Sequence, residues 1–348
     1  MKDIHTVSIV GLGAIGSYFA EKIQPVLKDN LRIIAGSRRK EQLEKEGRII
    51  NGHQRFFHVV SPEENTGYSD LVLVCSKMTG LEQALKDARN QVGPETTILT
   101  PLNGVESEEV AASIYGWDQV LYSLMRVSSV KSGNQITFDP EVSYIEFGEQ
   151  INDPKALSPK VQKIKEFFDQ AGIPSVIRPD MLRAIWEKYI CNVSENQVAA
   201  VLNIPFGAWG ACPDADRLRV LTAREVIQIA RKKGIPIEEN YAEEHLDRLK
   251  KLPPGNTPST LQDLLAGRKT EVEMFAGTIL RMGKELGIPT PFNEFLYHAI
   301  RVLEAKNEGK IPGSRGGAFS LSLPVSKRSS PMNHTSGIFI DFMRICRA

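Results

Sequence analysis

The sequence predicts an α/β protein with an N-terminal Rossmann-type doubly wound sheet and an all-helical C-terminal domain. Three observations carry this expectation. Residues 6–10 (TVSIV) form an apolar, β-branched run that passes directly into a glycine-rich turn and then a helical pattern. Further strand-like runs follow up to about residue 177, and beyond Pro179 the periodicity is helical to about Glu308. At 348 residues the chain is long for one hydrophobic core, so two domains are expected. The division expected is 1–178 for the nucleotide-binding domain, 179–310 for the helical domain and 311–348 for a flexible extension.

Composition narrows the function classes. The chain is 41% hydrophobic and 24% charged with a net charge of +1. Nucleic-acid binding calls for a concentrated basic excess, which is missing here. No run approaches 18 uninterrupted apolar residues, and residues 1–6 contain no apolar signal core, so the expectation is a cytoplasmic protein without a membrane partner. Cys75, Cys191, Cys212 and Cys346 are far apart, with no CxxC pair and only scattered histidines. That spacing argues against a disulfide framework and gives no reason to expect a metal.

The first strand is followed by Gly11, Leu12, Gly13, Ala14, Ile15 and Gly16, a G-x-G-x-x-G motif set between strand and helix as dinucleotide binding requires. Gly11 permits the tight turn, Gly13 lets backbone approach a pyrophosphate, and Gly16 allows close packing of helix on strand. The unpaired N–H groups of the helix N-terminus then face the phosphates. The second strand, residues 31–36 (LRIIAG), should end near the adenosine ribose. An NAD site usually places a carboxylate there, whereas this chain has Ser37, Arg38 and Arg39. Guanidinium groups can hold a 2′-phosphate by bidentate bonds, so the cofactor expected is NADP(H). The competing reading is an ordinary solvated basic turn.

Residues 70–76 (DLVLVCS) and 96–101 (TTILTP) read as buried strands, ending at Lys77 and Asn103. Ligands of open α/β sheets sit just beyond strand C-termini, which places both side chains near cofactor or substrate. Asn103-Gly104 is also a plain turn signal, and Lys77 could flank a helix. Between residues 120 and 149 three strand-like runs are expected to form the far side of the first sheet. A helix over 158–170 and a short strand near 175–177 complete that domain.

Residues 186–200 (WEKYICNVSENQVAA) read as a largely buried helix carrying polar groups where apolar ones are expected. Lys188, Asn192 and Asn196 are spaced i, i+4, i+8 and drift only about 80° around the axis, forming one stripe. A solvated face would explain a stripe. Asparagine, however, costs roughly 0.6 kcal/mol relative to Ala in a helix, and a free surface usually selects Glu, Lys or Gln. Further on, Ser259 with Gln262 has the spacing of a capping box, and Glu271 lies on an apolar helical stretch with Met274, Phe275 and Ile279. Ser259 is therefore either a helix cap or a ligand group, and Glu271 either a surface carboxylate or a pocket group.

Together these features resemble the ketopantoate reductase family over about residues 7–308. The resemblance rests on GLGAIG, basic Arg38, Lys77, Asn103-Gly104, the W-x-K-x-x-x-N-x-x-x-N pattern of residues 186–196, and N-x-x-S-x-x-L-Q-D followed by T-E over residues 256–271. It implies NADPH and a small 2-oxo acid meeting in a cleft between the domains, and a possible homodimer. By position, Lys188 corresponds to the general acid, and Asn192, Asn196, Asn256 and Ser259 to substrate-binding groups. Asn103 corresponds to a residue reaching both nicotinamide and substrate. Arg38 and Lys77 fall on the adenosine phosphate side, and Glu271 beside the nicotinamide ribose and the substrate hydroxyl. Where some members have a further substrate asparagine, this chain has Phe206. The extension over 311–348 has no counterpart.

The mechanism implied is reduction of a ketone with Lys188 donating the proton and Glu271 orienting substrate and lysine. General acid catalysis of this kind is worth about 10² to 10⁴ in rate. Asn192 and Asn196 would bind carboxylate and hydroxyl through neutral donors, avoiding a second buried charge beside the lysine. Phe206 keeps open a reductase of another 2-oxo acid, or an opine-type or β-hydroxyacid dehydrogenase. A non-catalytic NADPH sensor would leave the Lys-Asn-Asn stripe without a purpose.

Overall fold

The strands, in chain order, are β1 (Val7–Val10), β2 (Leu31–Ile34), β3 (Arg48–Ile50), β4 (His53–Arg55), β5 (His58–Val60) and β6 (Leu71–Val74). They continue as β7 (Thr97–Leu99), β8 (Val120–Arg126), β9 (Ser129–Ser132), β10 (Gln135–Phe138), β11 (Tyr144–Gly148) and β12 (Ser175–Val176). Eight of them form one sheet in the order β12-β11-β8-β7-β6-β1-β2-β5, parallel throughout except where β8 meets β11. This computed structural model describes residues 3–127 and 129–312, so nearly all of the expected 311–348 extension, with Cys346, lies outside the described residues.

The central strands are apolar without alternation because helices cover both faces. On one face Val7, Ile9, Leu71 and Leu73 meet Tyr18, Phe19 and Ile23 of α1 (Ala14–Leu27). On the other, Val10, Ile34, Val72 and Val74 meet residues that follow α2 (Ser37–Glu46) in the chain: Leu81, Ala84 and Leu85 of α3 (Leu81–Asp87) and Ala111 of α4 (Ser107–Tyr115). Val161, Ile164 and Phe168 of α5 (Pro159–Gln170) join the α1 side, and Ser158 caps α5 by accepting from Val161 N–H at 3.3 Å.

One expectation needs correction. Strands β8 and β11 do extend the first sheet, but β9 and β10 leave it. They pair with β3 and β4 in a second sheet of four strands, ordered β4-β3-β10-β9, which includes two strands the sequence reading had missed. The physical reason is visible in β10, where Ile136 and Phe138 are buried while Gln135 and Thr137 are exposed. A strand with one apolar face suits a sheet laid on a helix better than a central position covered on both sides. The Phe138 ring packs edge-on against Tyr18 of α1, with centroids 5.1 Å apart.

After β12 the chain is helical. The described helices are α6 (Met181–Cys191), α7 (Gln197–Leu202), α8 (Pro213–Lys232), α9 (Tyr241–Glu244), α10 (Leu246–Leu249), α11 (Ser259–Leu265), α12 (Thr278–Leu286) and α13 (Pro291–Asn307). Residues 192–196 and 273–277 are π-helical turns at the start of α7 and α12. The core here joins Ile185, Trp186, Tyr189 and Val193 to Val226 and Ile227 of α8 and to Ile279 and Met282 of α12. Leu124 of β8 and Val105 belong to the same cluster, so α6 is seated directly on the sheet. Among the described residues no helix is long and apolar enough to cross a membrane.

Candidate functional site

The glycine-rich turn has the geometry its sequence implies. Gly11 has φ +92°, and a Cβ there would lie 2.8 Å from the Cys75 carbonyl group. A Cβ on Gly16 would meet the Gly11 carbonyl oxygen at 2.0 Å, whereas one on Gly13 would meet nothing within 4 Å. The first and third glycines are thus demanded by packing, and the second leaves open space beside the backbone. Helix α1 begins at Ala14 with no side-chain cap and no acidic residue in its first turn, so its N–H groups remain available to an anion. These features fit a dinucleotide pyrophosphate. Leu12, Ala14 and Ile15 line the same turn, with Ala14 and Ile15 packing partly against the sheet core.

A residue the sequence reading missed braces this turn. Arg48 of β3 is 2% exposed, and its guanidinium donates to the Leu12 carbonyl at 2.8 Å and to Asn134 Oδ1 at 2.7 Å. Burial pulls its pKa down to about 10. Nothing local in RII marks that arginine, because its partner lies 36 positions earlier and only the second sheet brings them together.

Lys188, on α6, reaches the carboxyl end of the sheet. Lys188 Nζ donates to Asn103 Oδ1 at 2.9 Å and to the Met125 carbonyl at 2.6 Å. Asn103 Nδ2 in turn donates to Glu271 Oε2 at 3.0 Å. Lys188, Asn103 and Glu271 therefore form one hydrogen-bonded chain, although 168 positions separate Asn103 from Glu271. Burial pulls the Lys188 ammonium down from 10.5 to about 7, the nearby Arg126 adds repulsion, and Glu271 opposes both. Arg126, also missed from sequence, is held by Glu146 at 2.6 Å.

Asn196 Nδ2 lies 3.4 Å from Asn192 Oδ1 and 3.5 Å from Ser259 Oγ, which brings three more candidates together. The helix over 186–200 is not uniform, since residues 192–196 take the wider π turn. Residues four apart are neighbours on a helix surface, and the Asn192–Asn196 contact is kept through the π turn. The capping-box reading of Ser259 fails. Pro258 occupies the cap position without a side-chain bond, Ser259 is the first helical residue, and Gln262 donates instead to the Thr257 carbonyl at 2.7 Å.

Other candidates sit at the margin. Arg38 is exposed in the first turn of α2, and Lys77 is exposed where β6 gives way to the next turn. Asn256 is exposed, and its carbonyl accepts from the Phe206 N–H at 2.9 Å. Phe206 packs partly against the cluster of Val198, Trp209 and Leu249. The Asn256 side chain has no contact with Asn196 or Ser259 that the structure records.

Comparison with known proteins identifies the family. The family model for ketopantoate reductase PanE/ApbA matches residues 7–149, and the model for its C-terminal part matches residues 180–304. A curated relative, the 2-dehydropantoate 2-reductase of Aquifex aeolicus (strain VF5), is 29% identical over 254 residues, covering 70% of this chain and 80% of that relative. Among solved structures, D-mandelate dehydrogenase with NADH and anilino(oxo)acetate superposes with a TM-score of 0.76 at 20% identity, covering 87% of this chain and 99% of that one. A PanE/ApbA family ketopantoate reductase from Ralstonia eutropha JMP134 gives 0.71 at 23% identity, covering 87% and 99%. At these identities the structures speak for the fold alone. The two family models together span both halves of the chain, including every residue of the Lys188–Asn103–Glu271 line, and the chain belongs to the ketopantoate reductase family.

Proposed function

We propose that this protein is an NADPH-dependent oxidoreductase that reduces 2-dehydropantoate to pantoate, with Lys188 as the proton donor. The observation that carries the reading is the hydrogen-bonded chain from Lys188 through Asn103 to Glu271, a partly buried ammonium placed at the carboxyl edge of a dinucleotide-type sheet. NADPH, when bound, supplies the hydride equivalent for the carbonyl carbon. Gly11, Gly13, Gly16 and the α1 N-terminus would hold its pyrophosphate, and Arg38 and Lys77 its adenosine phosphate side.

Reduction leaves negative charge on the former carbonyl oxygen, and Lys188 neutralises it by giving up a proton from Nζ. Its depressed pKa suits that step, because a donor works best with a pKa near the working pH. Asn103 accepts from Lys188 and donates to Glu271, so it fixes the ammonium while Glu271 keeps its charge nearby. Asn192, Asn196 and Ser259 offer neutral donors and acceptors to carboxylate and hydroxyl groups, with Asn256 at the rim. We further propose that residues 1–178 form the nucleotide domain and 179–310 the substrate domain, that the enzyme works in the cytoplasm, and that it assembles as a homodimer.

A second reading is favoured by Phe206, which stands where some family members have a further substrate asparagine and whose backbone N–H donates to the Asn256 carbonyl. It takes the substrate to be a different 2-oxo acid with a less polar tail. The deciding experiment follows NADPH and NADH oxidation with 2-dehydropantoate, pyruvate, 2-oxoisovalerate and larger 2-oxo acids. The main proposal requires the highest kcat/KM for 2-dehydropantoate with NADPH. A higher value for an unhydroxylated acid selects the second reading, and cofactor binding without turnover of any acid overturns both.

A further inference from the structure

One side-chain cluster plays no part in the reaction described above. Cys191 closes α6, Glu195 lies in the π turn that follows, and His245 joins α9 to α10. Cys191 Sγ lies 3.3 Å from His245 Nε2, the same nitrogen lies 3.4 Å from Glu195 Oε1, and all three atoms fall within 4.8 Å of one another. Glu195 is 5% exposed, and the His245 ring is stacked on Tyr241 with centroids 5.6 Å apart. A single imidazole nitrogen carries either one proton or one lone pair. The Cys191 thiol also reaches the Glu195 carboxylate, so donor atoms from all three residues converge around one point.

We propose that Cys191, Glu195 and His245 form a binding site for Zn²⁺, with its fourth position open to water. Tetrahedral bonds of about 2.3 Å to sulfur, 2.05 Å to nitrogen and 2.0–2.1 Å to oxygen separate S from N by about 3.6 Å and N from O by about 3.3 Å. The observed 3.3 and 3.4 Å fall within a few tenths of an ångström of those edges. The thiolate selects a borderline-soft ion over Mg²⁺ or Ca²⁺. On binding, the Cys191 thiol loses its proton to solvent, and one thiolate with one carboxylate balances the charge of the dication. Arg126, Arg219 and Arg248 also face the cluster. Glu146 pairs with Arg126 at 2.6 Å and Asp216 with Arg219 at 3.5 Å, so two of those three charges are already matched.

The ion would pin the π turn between Asn192 and Asn196 to the α9–α10 corner. No sequence motif marks the site, because His245 lies 54 positions from Cys191, outside any ligand spacing. The test uses the full chain carrying Cys212→Ser and Cys346→Ser, stripped with a chelator and titrated with Co²⁺ and then Zn²⁺. The expected result is one equivalent of Co²⁺ with a thiolate charge-transfer band and intense tetrahedral visible bands, displaced by Zn²⁺. Adding Cys191→Ser should abolish the charge-transfer band, and His245→Gln or Glu195→Gln should weaken binding at least tenfold with unchanged circular dichroism. Absence of the band in the parent protein, or its survival in Cys191→Ser, overturns the proposal. If the variants do not fold, the parent spectrum decides alone.

Discussion

Replacing Lys188 with Met removes the proposed proton donor while keeping an unbranched side chain of similar length. Two consequences can be worked from the structure. General acid catalysis is worth about 10² to 10⁴ in rate, so kcat should fall by that factor, about 3–5 kcal/mol in barrier. NADPH affinity should be retained, because Lys188 contacts Asn103 and Met125 and neither the glycine turn nor Arg38. The second consequence is a pH profile. A donor with a pKa of about 7 is mostly protonated at pH 6 and about 1% protonated at pH 9. In the wild type, kcat/KM for reduction should be level below pH 6 and fall about tenfold per unit above 7, and in Lys188→Met that limb should vanish.

Stability supplies an independent check of the same group. The folded-state pKa of Lys188 lies below its unfolded value of 10.5, so between about pH 7 and 10.5 the unfolded chain binds more protons. Wild-type stability should therefore rise with pH across that window, and Lys188→Met should lack this rise. At 1.36 kcal/mol per pH unit, the drop from 10.5 to about 7 sets a ceiling of about 5 kcal/mol, and the partial exposure of the side chain reduces the expectation to about 1–3 kcal/mol. The assays are initial rates from pH 5.5 to 9.5 and urea unfolding of both proteins at pH 7 and 9.5. A wild-type kcat/KM that stays flat from pH 7 to 9, or a variant with near wild-type kcat, would refute the reasoning.

Glu271→Gln removes the carboxylate that favours the charged lysine, so the alkaline limb of kcat/KM should move to lower pH, read from the same rate series. Arg38→Ala should raise the KM for NADPH by about 10- to 100-fold and leave NADH nearly unchanged, as loss of a charge-assisted phosphate contact requires. Arg48→Lys keeps the charge but cannot reach both the Leu12 carbonyl and Asn134. It should raise the dissociation constant for NADPH in fluorescence titration while leaving kcat at saturation. Gln197→Met, at a position with 0% exposure, strands the Val193 carbonyl and the Ala276 N–H, and should cost about 1–3 kcal/mol in denaturant unfolding for each group left unpaired.

The first domain's plan was readable because its signals are local. A continuous apolar run such as LVLV needs cover on both faces, and G-x-G-x-x-G between strand and helix has few other uses. The Lys188, Asn192 and Asn196 stripe was equally local, since helical spacing alone puts the three on one face. What escaped notice depends on contacts across long separations. The second sheet joins residues near 50 to residues near 135, and the arginine it buries is indistinguishable in sequence from a surface one. Ser259 was ambiguous for a different reason. The S-x-x-Q spacing fits a cap, but the preceding Pro258 takes the cap position, so the helix starts at Ser259 itself, one residue earlier than a Ser259 cap would place it.

The π turns are the least legible feature and connect the two sides of the site. A π turn breaks the regular α ladder, and buried backbone groups released that way need other partners. At residues 192–196 the Gln197 side chain donates to the Val193 carbonyl at 2.8 Å, while its own oxygen accepts from the Ala276 N–H at 3.3 Å in the second π turn. Tyr189 OH lies 2.8 Å from both the Met274 and Phe275 carbonyls, reaching from α6 to that same turn. Buried polar groups of α6 and α7 thus couple the segment carrying Lys188, Asn192 and Asn196 to the segment entered through Glu271. The proposed proton donor and the Glu271 carboxylate are held in register by backbone groups that a regular α-helix would have kept for itself. Gln197 bridges the two π turns, so the irregularity is part of how the site is assembled.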